Sequence, residues 1–522
     1  MPLLTRRALL LAATGGGLTA LGARATAAPT ATIPTVPVTT DLTLLNRTTW
    51  GASVTSAAAL QQQGQPAWLQ GQLQPQPDAL AGLPAAVQQR LAALRISRST
   101  LHELVQQAEQ QREAVDALPE GEARQAAQQA YRHGLAEVAN EATSRLLLRG
   151  LHSPHQLHER LTWFWCNHFS VFERKGPLRL LVGHYEQHAV RPHALGRFED
   201  LLIACTTHPA MLRMLDNARN AVGHLNENHA RELMELHTLG LQGGYTQRDV
   251  QELARILTGL GVRLLADAPR LKPAQQALYV RQGLTEFHPA RHDFGPKQLL
   301  GQRVEGQGWP EIIDTLRLLA RHPATARFIS TKLARHFVAD QPPPAVVQAM
   351  AERYLVTQGH IGLTLQTMFN APEVQALPPS KFKDPMRFVL SALRLAYDGQ
   401  PIVNATPVMQ WLKRLGQAPF HHATPDGYPD QQADWTGSGQ LQTRFEVARA
   451  IGAGPAGLFK TEGPAGMADD PAPTGVPQVR NALYLNAIEP TLGAPTRTAL
   501  AQAGSPQAWN GLLLSSPEFM RC

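Results

Sequence analysis

The composition of this 522-residue chain excludes several functional classes before any motif is considered. Its formal charge is +7, and it falls to +4 once Arg6, Arg7 and Arg24 leave with a predicted signal peptide. That excess is small for a chain of this length, and no basic stripe is interleaved with aromatic residues, so nucleic acid is not a predicted partner. The few cysteines form neither a haem-attachment motif nor a paired zinc motif.

The N-terminus carries a predicted twin-arginine signal peptide over residues 1–27. Arg6 and Arg7 run into an apolar stretch that Gly15–Gly17 interrupt, and Ala25–Ala27 supplies the small residues that a signal peptidase requires. An ordinary secretory signal or a membrane anchor is the alternative, but the stretch is shorter than the roughly 20 apolar residues that span a bilayer. We expect cleavage after Ala27, export to the periplasm or beyond through the twin-arginine machinery, and no transmembrane span in the mature chain.

Beyond the signal, the residue pattern predicts a mainly α protein, a large multi-helix domain with at most a small β-hairpin and long Gly/Pro-rich loops. Residues 28–40 are rich in Pro, Thr and Val and predict a linker, whereas residues 41–522 predict a single large helical domain. Gln, Ala, Leu, Glu and Arg dominate near 84–152, which indicates a helical arm with a solvated outer face. Residues near 451–479 are dense in Gly, Pro and Ala and predict a surface loop.

Local signals predict where several elements begin. His208-Pro209 and His322-Pro323 place proline at a helix start, and Thr246 with Asp249 resembles a capping box. Residues 278–280, with a partner near 263–265, predict the small hairpin. No predicted strand is followed by a glycine-rich loop and a helix, so a dinucleotide site or a P-loop is not expected.

One predicted helix, Leu225–Gly240, concentrates groups able to ligate a metal or transfer a proton: three glutamates, two asparagines, one arginine and two histidines. At about 100° per residue, one arc of this helix collects Asn228, Arg231, Glu232, Glu235 and Leu239. His237 points away from that arc, so His237 and Glu235 are not expected to bind one ion. The alternative is a solvated face with an ion pair between Arg231 and Glu235. The face has no lysine and includes asparagine, a poor helix former, and both features oppose that alternative.

Three further clusters hold candidate residues. His292 and Asp293 predict either a base or ligand with its orienting carboxylate, or a loop held by its own hydrogen bonds. Asn167-His168 lies among aromatics, where a histidine is more often a core residue than a ligand, although the glutamates of Leu225–Gly240 are available as partners. His421-His422 precedes a loop that either ligates or shapes a groove, and this loop carries Asp426, Tyr428 and Trp435. None of these spacings is a recognised metal or hydrolase motif.

Together these segments resemble a known bacterial family. The block Leu225-Asn-Glu-Asn-x-Ala-Arg-Glu-Leu-x-Glu-Leu-His-Thr-Leu-Gly240 is similar to the hallmark of the family catalogued as domain of unknown function 1800. The resemblance extends over nearly the whole mature chain through Leu45–Gly51, Phe164–Phe169, His292–Lys297, Lys332–Phe337, Lys381–Pro385, Asp426–Pro429 and Ser516–Phe519. It implies an exported, mainly helical protein, whose gene often accompanies a second exported family, domain of unknown function 1501, which resembles sulfatases.

The leading functional hypothesis is a periplasmic enzyme, a hydrolase or lyase, acting on an extracellular polymer or its fragments. The predicted catalytic residues are Arg231, Glu232, Glu235, His292 and Asp293. The predicted binding residues are Asn167, His168, Glu227, Asn228, Lys297, Asp426, Tyr428 and Trp435. The cofactor stays open, with a divalent metal as one option, and the predicted metal ligands are His168, His237 and His292.

The rival hypothesis is a non-catalytic helical scaffold or binding protein that works with the sulfatase-like exported partner. In that case the Leu225–Gly240 block is a buried hydrogen-bond network that locks helix packing. A third interpretation is a redox protein with a non-covalent cofactor. Convergence of His168, Glu232, Glu235 and His292 on one cleft would favour the enzyme, whereas placement of all the histidines far from Glu232 would favour the scaffold.

Overall fold

Helices make up most of the chain in the computed structural model, which describes residues 39–74, 80, 82–264, 269–460 and 475–522. The predicted mainly α class is confirmed. The predicted signal peptide and the predicted linker up to residue 38 lie outside the described residues. Within the described part of the chain, no helix is both long enough and apolar enough to cross a membrane.

Five short helices open the described chain: α1 (Thr39–Thr48), α2 (Val54–Gln63), α3 (Gln65–Leu73), α4 (Ala85–Ala93) and α5 (Arg95–Arg98). The first of them begins inside the predicted linker. Ser53 and Ser56 form a capping box at the start of α2. Gly64, at φ +78°, ends α2 and allows α3 to begin at once, because glycine adopts this left-handed conformation without strain.

The predicted helical arm contains α6 (Leu101–Asp116) and α7 (Glu122–His152), which pack against each other. Thr100 and Glu103 cap α6 reciprocally. The first half of α7 is mostly exposed, whereas most of its residues from Val138 onward are buried. The arm therefore has a solvated outer part and is anchored in the core by the second half of α7.

The next helices surround the candidate site segments: α8 (Gln156–His168), α9 (Leu178–His184), α10 (Phe198–Thr207), α11 (Pro209–Met214), α12 (Asn228–Glu232) and α13 (Gln247–Ile256). Their starts agree with the sequence signals. The His208 ring accepts a hydrogen bond from the backbone N–H of Ala210, with Pro209 in the first turn of α11. Thr246 and Asp249 form the predicted capping box of α13.

Two small antiparallel sheets follow. The first contains β1 (Leu260–Val262), β2 (Val280–Gln282) and β3 (Thr285–Phe287), and the short helix α14 (Pro273–Gln276) precedes β2. The second contains β4 (Lys297–Leu299) and β5 (Gln302–Val304). The predicted pairing of 278–280 with 263–265 is wrong, because β1 and β2 both pair with β3. Gly283, at φ +59°, turns β2 directly into β3. Phe287 is fully buried, which favours β3 as the central strand. Residue 265 lies outside the described residues.

The C-terminal half is helical throughout most of its described length. Its first helices are α15 (Trp309–Ala320), α16 (Pro323–Phe337), α17 (Pro344–Val356), α18 (Ile361–Asn370) and α19 (Pro372–Ala376). The others are α20 (Pro385–Ala396), α21 (Thr406–Arg414), α22 (Gln432–Trp435), α23 (Ser438–Gly452), α24 (Ala494–Ala501) and α25 (Pro506–Leu514). His322 and Pro323 begin α16 as predicted. Of the predicted Gly/Pro-rich loop, residues 461–474 lie outside the described part, and its first residues still belong to α23.

Two hydrophobic cores hold these elements. Core 1 draws mainly on helices between α8 and α18, and core 2 draws on α1 to α4, the end of α7 and α20 to α25. Helix α8 contributes to both, since Trp165 is buried in core 1 and Trp163 in core 2. Because α8 also carries Asn167 and His168, it holds these candidate residues against both cores.

A buried network of ion pairs anchors α8. The Arg191 guanidinium lies 2.8 and 3.0 Å from the two carboxylate oxygens of Glu159 on α8, and 2.7 Å from Glu186. Arg145 on α7 adds a contact of 3.2 Å to Glu186. Burial alone would raise the pKa of Glu186, but the charges of Arg191, Arg145 and Arg149 outweigh burial and lower that pKa to about 2.

Replacement of Arg191 by methionine removes the cation that two buried carboxylates share. We expect Arg191→Met to lower the free energy of unfolding by about 3–5 kcal/mol, because an uncompensated buried charge is strongly destabilising. Chemical denaturation followed by circular dichroism measures this. The matched control, Arg112→Met, removes an exposed arginine that also contacts two carboxylates, and it should leave stability unchanged.

The same variant has an expected pH signature. Since the folded-state pKa of Glu186 lies below its ordinary value of 4.5, this carboxylate stabilises the fold above that value. The stabilisation is lost as pH falls towards 2. In Arg191→Met the loss over this acid range should be smaller than in the native chain. An equal or steeper loss would contradict the proposed role of the network.

Candidate functional site

The helix that carries the glutamates of the block changes its hydrogen-bonding pattern at Leu233. After α12 the chain continues as a π-helical segment, Leu233–Thr238, which we call the wide turn. The Leu239 N–H donates to the Met234 carbonyl at 2.8 Å, and the Thr238 hydroxyl donates to the Leu233 carbonyl at 2.7 Å, so both bonds span five residues. An extra residue in this turn shifts the positions that follow it. Leu239 is therefore buried rather than on the polar face, contrary to the prediction.

Gly240 ends the wide turn as the sequence predicts. Its φ is +75°, and an added Cβ would lie only 2.8 Å from a ring carbon of Phe328 on α16. Glycine is thus required there for both conformation and space. This close approach packs the end of the block directly on α16.

The side chains of the block lie in two environments. His229 and His237 are buried, at 0% and 1% exposure, whereas Arg231, Glu232 and Glu235 are partly exposed. The predicted separation of His237 from the glutamates is therefore seen. The glutamates have contact with solvent, and the histidines do not.

The asparagines of the block hold its backbone. Asn228 donates to the Leu215 carbonyl, and Asn226 donates to the Asp216 carbonyl, both at 3.2 Å. The Asn220 side chain accepts from the Asn226 N–H at 3.0 Å. Asn228, a predicted binding residue, thus has a structural contact, which accounts for an asparagine on this face.

Arg231 is paired, though not with the partner that the sequence offered. It contacts Glu227 at 3.1 Å and the Gln247 side chain at 2.9 Å, and Gln247 also donates to Glu227 at 2.7 Å. The ion pair between Arg231 and Glu235 that the sequence offered as an alternative is not formed. Glu227 therefore neutralises the one arginine beside the other two glutamates.

Glu232 and Glu235 have neither a hydrogen bond nor an ion pair within the described part of the chain, although both are partly buried. Burial raises the pKa of Glu232, the charges of Glu235 and Asp426 raise it further, and Arg231 opposes them. Burial and the same two glutamates raise the pKa of Tyr245. These residues are near enough for their charges to act on one another.

Lys332 on α16 faces the same group of charges. Its ammonium lies 5.5 Å from the centre of the Phe328 ring and makes no ion pair within the described residues. Burial lowers the pKa of Lys332 to about 8, against the opposing charges of Asp430 and Asp426. We call the set Glu232, Glu235, Tyr245, Lys332 and Asp426 the acidic face.

Asn167 on α8 forms hydrogen bonds with Tyr428 in the loop after α21, and we call this contact the clasp. It places Asp426 beside the glutamates. The Asn167 side chain donates to the Tyr428 carbonyl at 2.9 Å and accepts from the Tyr428 N–H at 2.7 Å. Gly427 has φ +76°, and an added Cβ would lie 2.1 Å from the Asn167 carbonyl oxygen. Trp435 closes the loop by donating to the Pro429 carbonyl at 3.1 Å. Asn167, Tyr428 and Trp435, all predicted binding residues, thus shape the loop.

The buried histidines do not form a metal centre with the third predicted ligand. His168 Nε2 lies 3.1 Å from the His237 carbonyl, and the two rings are 5.8 Å apart. Burial holds the pKa of both well below the ordinary range and lowers that of His229 to about 3, so all three rings are neutral near neutral pH. Among the described residues, no group of three or more His, Cys, Asp or Glu side chains is arranged to hold a metal ion.

His292, Asp293 and Lys297 belong to a separate buried network. His292 contacts the Thr258 carbonyl through Nδ1 at 2.8 Å and Glu311 through Nε2 at 3.2 Å. Lys297 pairs with the same Glu311 carboxylate at 2.5 Å, and Asp293 pairs with Arg255 at 2.8 Å. None of these partners belongs to the acidic face, so His292 does not converge with Glu232. The convergence that would have favoured the enzyme over the scaffold is therefore not seen. The network pins the loop to α13 and α15.

A protein-family model matches residues 43–521 of the chain. The family is described as "Protein of unknown function (DUF1800)". This chain belongs to that family. No curated protein and no solved structure matches the chain significantly. The family description assigns no activity, so the function of this DUF1800 protein has to be argued from its own geometry.

Two residues of the DUF1800 acidic face had no predicted role. Lys332 occurs in a segment that carries the family resemblance and Tyr245 follows the block by five residues, but the spacing of neither residue offers a chemical signal. Lys332 lies about a hundred residues after the block in sequence, and only the packing of α16 against the wide turn brings them together. A local pattern does not report such a contact.

The clasp predicts a strong effect of a single methyl group. Gly427→Ala should lower the free energy of unfolding by about 2 kcal/mol or more, because the left-handed backbone is strained and the Cβ overlaps the Asn167 carbonyl. Gly437→Ala is the matched control, since an added Cβ there meets nothing within 4 Å. Thermal unfolding and limited proteolysis near residue 427 provide the measurement. Equal stability of the two variants would refute the clasp.

Proposed function

We propose that this protein is an exported enzyme, a hydrolase or lyase, in which Glu232 donates a proton to the substrate and a second carboxylate of the acidic face assists. The observation that carries this proposal is the pair Glu232 and Glu235, partly buried and unpaired among the described residues. Every other charged residue of the block has a partner. Structural carboxylates normally acquire partners on burial, so an unpaired pair at a solvent boundary is typical of a reactive site.

The electrostatics suit acid–base chemistry. A raised pKa keeps Glu232 protonated to a higher pH than an ordinary carboxyl, as a general acid requires. Glu235 or Asp426 then acts as the base that activates water or as the charge that stabilises a cationic transition state. Lys332, with a pKa of about 8, is partly neutral near neutral pH and supplies the base that a lyase needs.

The predicted histidine roles change under this proposal. His168 and His237 are enclosed in core 1, and His292 is committed to Glu311, so none of them is proposed as a ligand or proton carrier. Asn167, Tyr428 and Trp435 position the loop that carries Asp426. Export rests on the twin arginines at positions 6 and 7. A polymer found outside the cytoplasm, or its fragments, is the proposed substrate class.

The test is a Glu232→Gln variant assayed against a panel of polysaccharides and chromogenic glycosides and esters. We expect any turnover by the native protein to fall about 100-fold or more, because the variant keeps its shape but loses the proton. Activity should also fall as pH rises through the raised pKa of Glu232, since only the protonated form donates. Glu352→Gln, on the exposed face of α17, is the control and should keep full activity. Full activity of Glu232→Gln would refute the proposal.

A second candidate function is a binding protein for a sulfatase-like exported partner of the family called domain of unknown function 1501. One observation favours it: large apolar side chains at both ends of the block are exposed, Val222 at 48%, Leu225 at 46% and Leu241 at 78%. Under this alternative, a Leu225→Ser, Leu241→Ser double variant should lose affinity for such a partner while Glu232→Gln binds normally. Under the enzyme proposal, Glu232→Gln should lose turnover, whereas the Leu225→Ser, Leu241→Ser double variant should keep it.

A further inference from the structure

A cavity of about 420 Å³ lies between α1, α20 and the segments near residues 488–491 and 517–521, away from the acidic face and against core 2. Its walls are largely apolar and include Leu42, Ala52, Leu395, Ile488 and Phe519. This volume is within the range that small organic ligands occupy in proteins. One lysine, Lys383, also lines it.

Lys383 is a buried cation without a counter-ion. Lys383 is only 3% exposed. Its ammonium donates a hydrogen bond to the Ser391 hydroxyl at 3.1 Å and lies 3.8 Å from the centre of the Phe519 ring. It forms no ion pair within the described residues. An ammonium group has three donors, and the single conventional acceptor here leaves capacity for another.

The surroundings of Lys383 add positive charge. Four nearby arginines are at most 3% exposed, and each donates to backbone carbonyls without forming an ion pair among the described residues: Arg47, Arg160, Arg387 and Arg444. Buried cations without anions are costly, because carbonyl dipoles replace only part of the lost hydration. The negative charges of Cys522 and Asp384 oppose this positive charge, but Lys383 and the four arginines outnumber them. The charge of this region therefore favours an anion, and the cavity provides the space for one.

Two further charged groups face the cavity, and both are occupied. Glu518 accepts hydrogen bonds from the Gly493 N–H at 2.7 Å and the Thr496 hydroxyl at 2.9 Å. Arg521 donates to the Ser380 carbonyl at 2.8 Å and to Gln432 at 3.1 Å. Neither pairs with Lys383, so its ammonium remains an available donor at the cavity wall.

We propose that this cavity binds a small organic acid, whose carboxylate pairs with Lys383 and whose apolar body packs against Leu42, Leu395 and Ile488. The site is distinct from the acidic face, which packs on core 1. Three segments that carry the family resemblance, Leu45–Gly51, Lys381–Pro385 and Ser516–Phe519, meet around it. Gly51 permits the first of these segments to lie close to α20, since an added Cβ would lie 2.4 Å from the Ser391 Cβ.

A pH dependence accompanies this binding. Burial lowers the pKa of Lys383 to about 7 in the empty cavity; Cys522 opposes that shift, and Arg387 and Arg444 add to it. Only the protonated amine pairs with a carboxylate. Affinity should therefore decrease as pH rises above about 7, and binding at that pH should take up a proton.

The test is calorimetric titration of the full chain with benzoate and octanoate, compared with their neutral analogues benzamide and octan-1-ol. We expect saturable binding of at least one acid and about 30-fold or more weaker binding to Lys383→Met, which keeps the chain length but loses the charge. Lys413→Met, at an exposed lysine, is the matched control and should bind like the native chain. The affinity of the native chain for the neutral analogues should also be low. It should not exceed the affinity of Lys383→Met for the acids.

A second variant keeps the test decisive if Lys383→Met does not fold. Leu42→Trp retains the lysine but fills the partly exposed side of the cavity, and it should abolish binding without changing the thermal unfolding temperature appreciably. The proposal is overturned if acids and neutral analogues bind equally, if the affinity does not change with pH, or if Leu42→Trp binds as the native chain does. Absence of saturable binding of both acids at millimolar concentration would also overturn it.

Discussion

The wide turn Leu233–Thr238 is the constraint on which the candidate site depends. One extra residue in this turn shifts the positions that follow it, so Leu239 is buried in core 1, while Glu235 within the turn stays at the solvent boundary. It also brings Gly240 against Phe328, which lies beneath Lys332. π-helical turns are uncommon and are frequent at functional sites, and here the turn joins the block to α16.

Charge pairing separates structural from functional polar residues in this fold. Arg191 with Glu159 and Glu186, and Glu311 with His292 and Lys297, are closed buried networks in which the charged groups have partners. Glu232, Glu235, Lys332 and Lys383 are the contrast, because their charges are partly or fully desolvated and lack ion pairs among the described residues, whereas Asp426 of the acidic face pairs with His422. Desolvation without compensation destabilises a fold, and proteins tolerate it mainly where a ligand or substrate supplies the missing partner.

Sequence reasoning predicted the helical class, the caps at Thr246 and His322 and the glycine that ends the block, because these features depend on neighbouring residues. It also separated His237 from the glutamates by helical phase. It failed where contacts are distant in sequence: the pairing of β1 and β2 through β3, the commitment of His292 to Glu311, and the role of Lys332. The wide turn was not predicted either, because a regular helical period of about 3.6 residues was assumed for the whole block.

We propose that Glu232 serves chemistry rather than stability. Because burial and neighbouring carboxylates raise its pKa, the ionised side chain destabilises the fold at neutral pH, and its removal should not weaken the protein. The most direct measurement is the free energy of unfolding of Glu232→Gln and of the native chain, determined by chemical denaturation at neutral pH. Our account predicts an equal or higher stability for the variant. A clearly lower stability would show that Glu232 is part of a structural network and would contradict it.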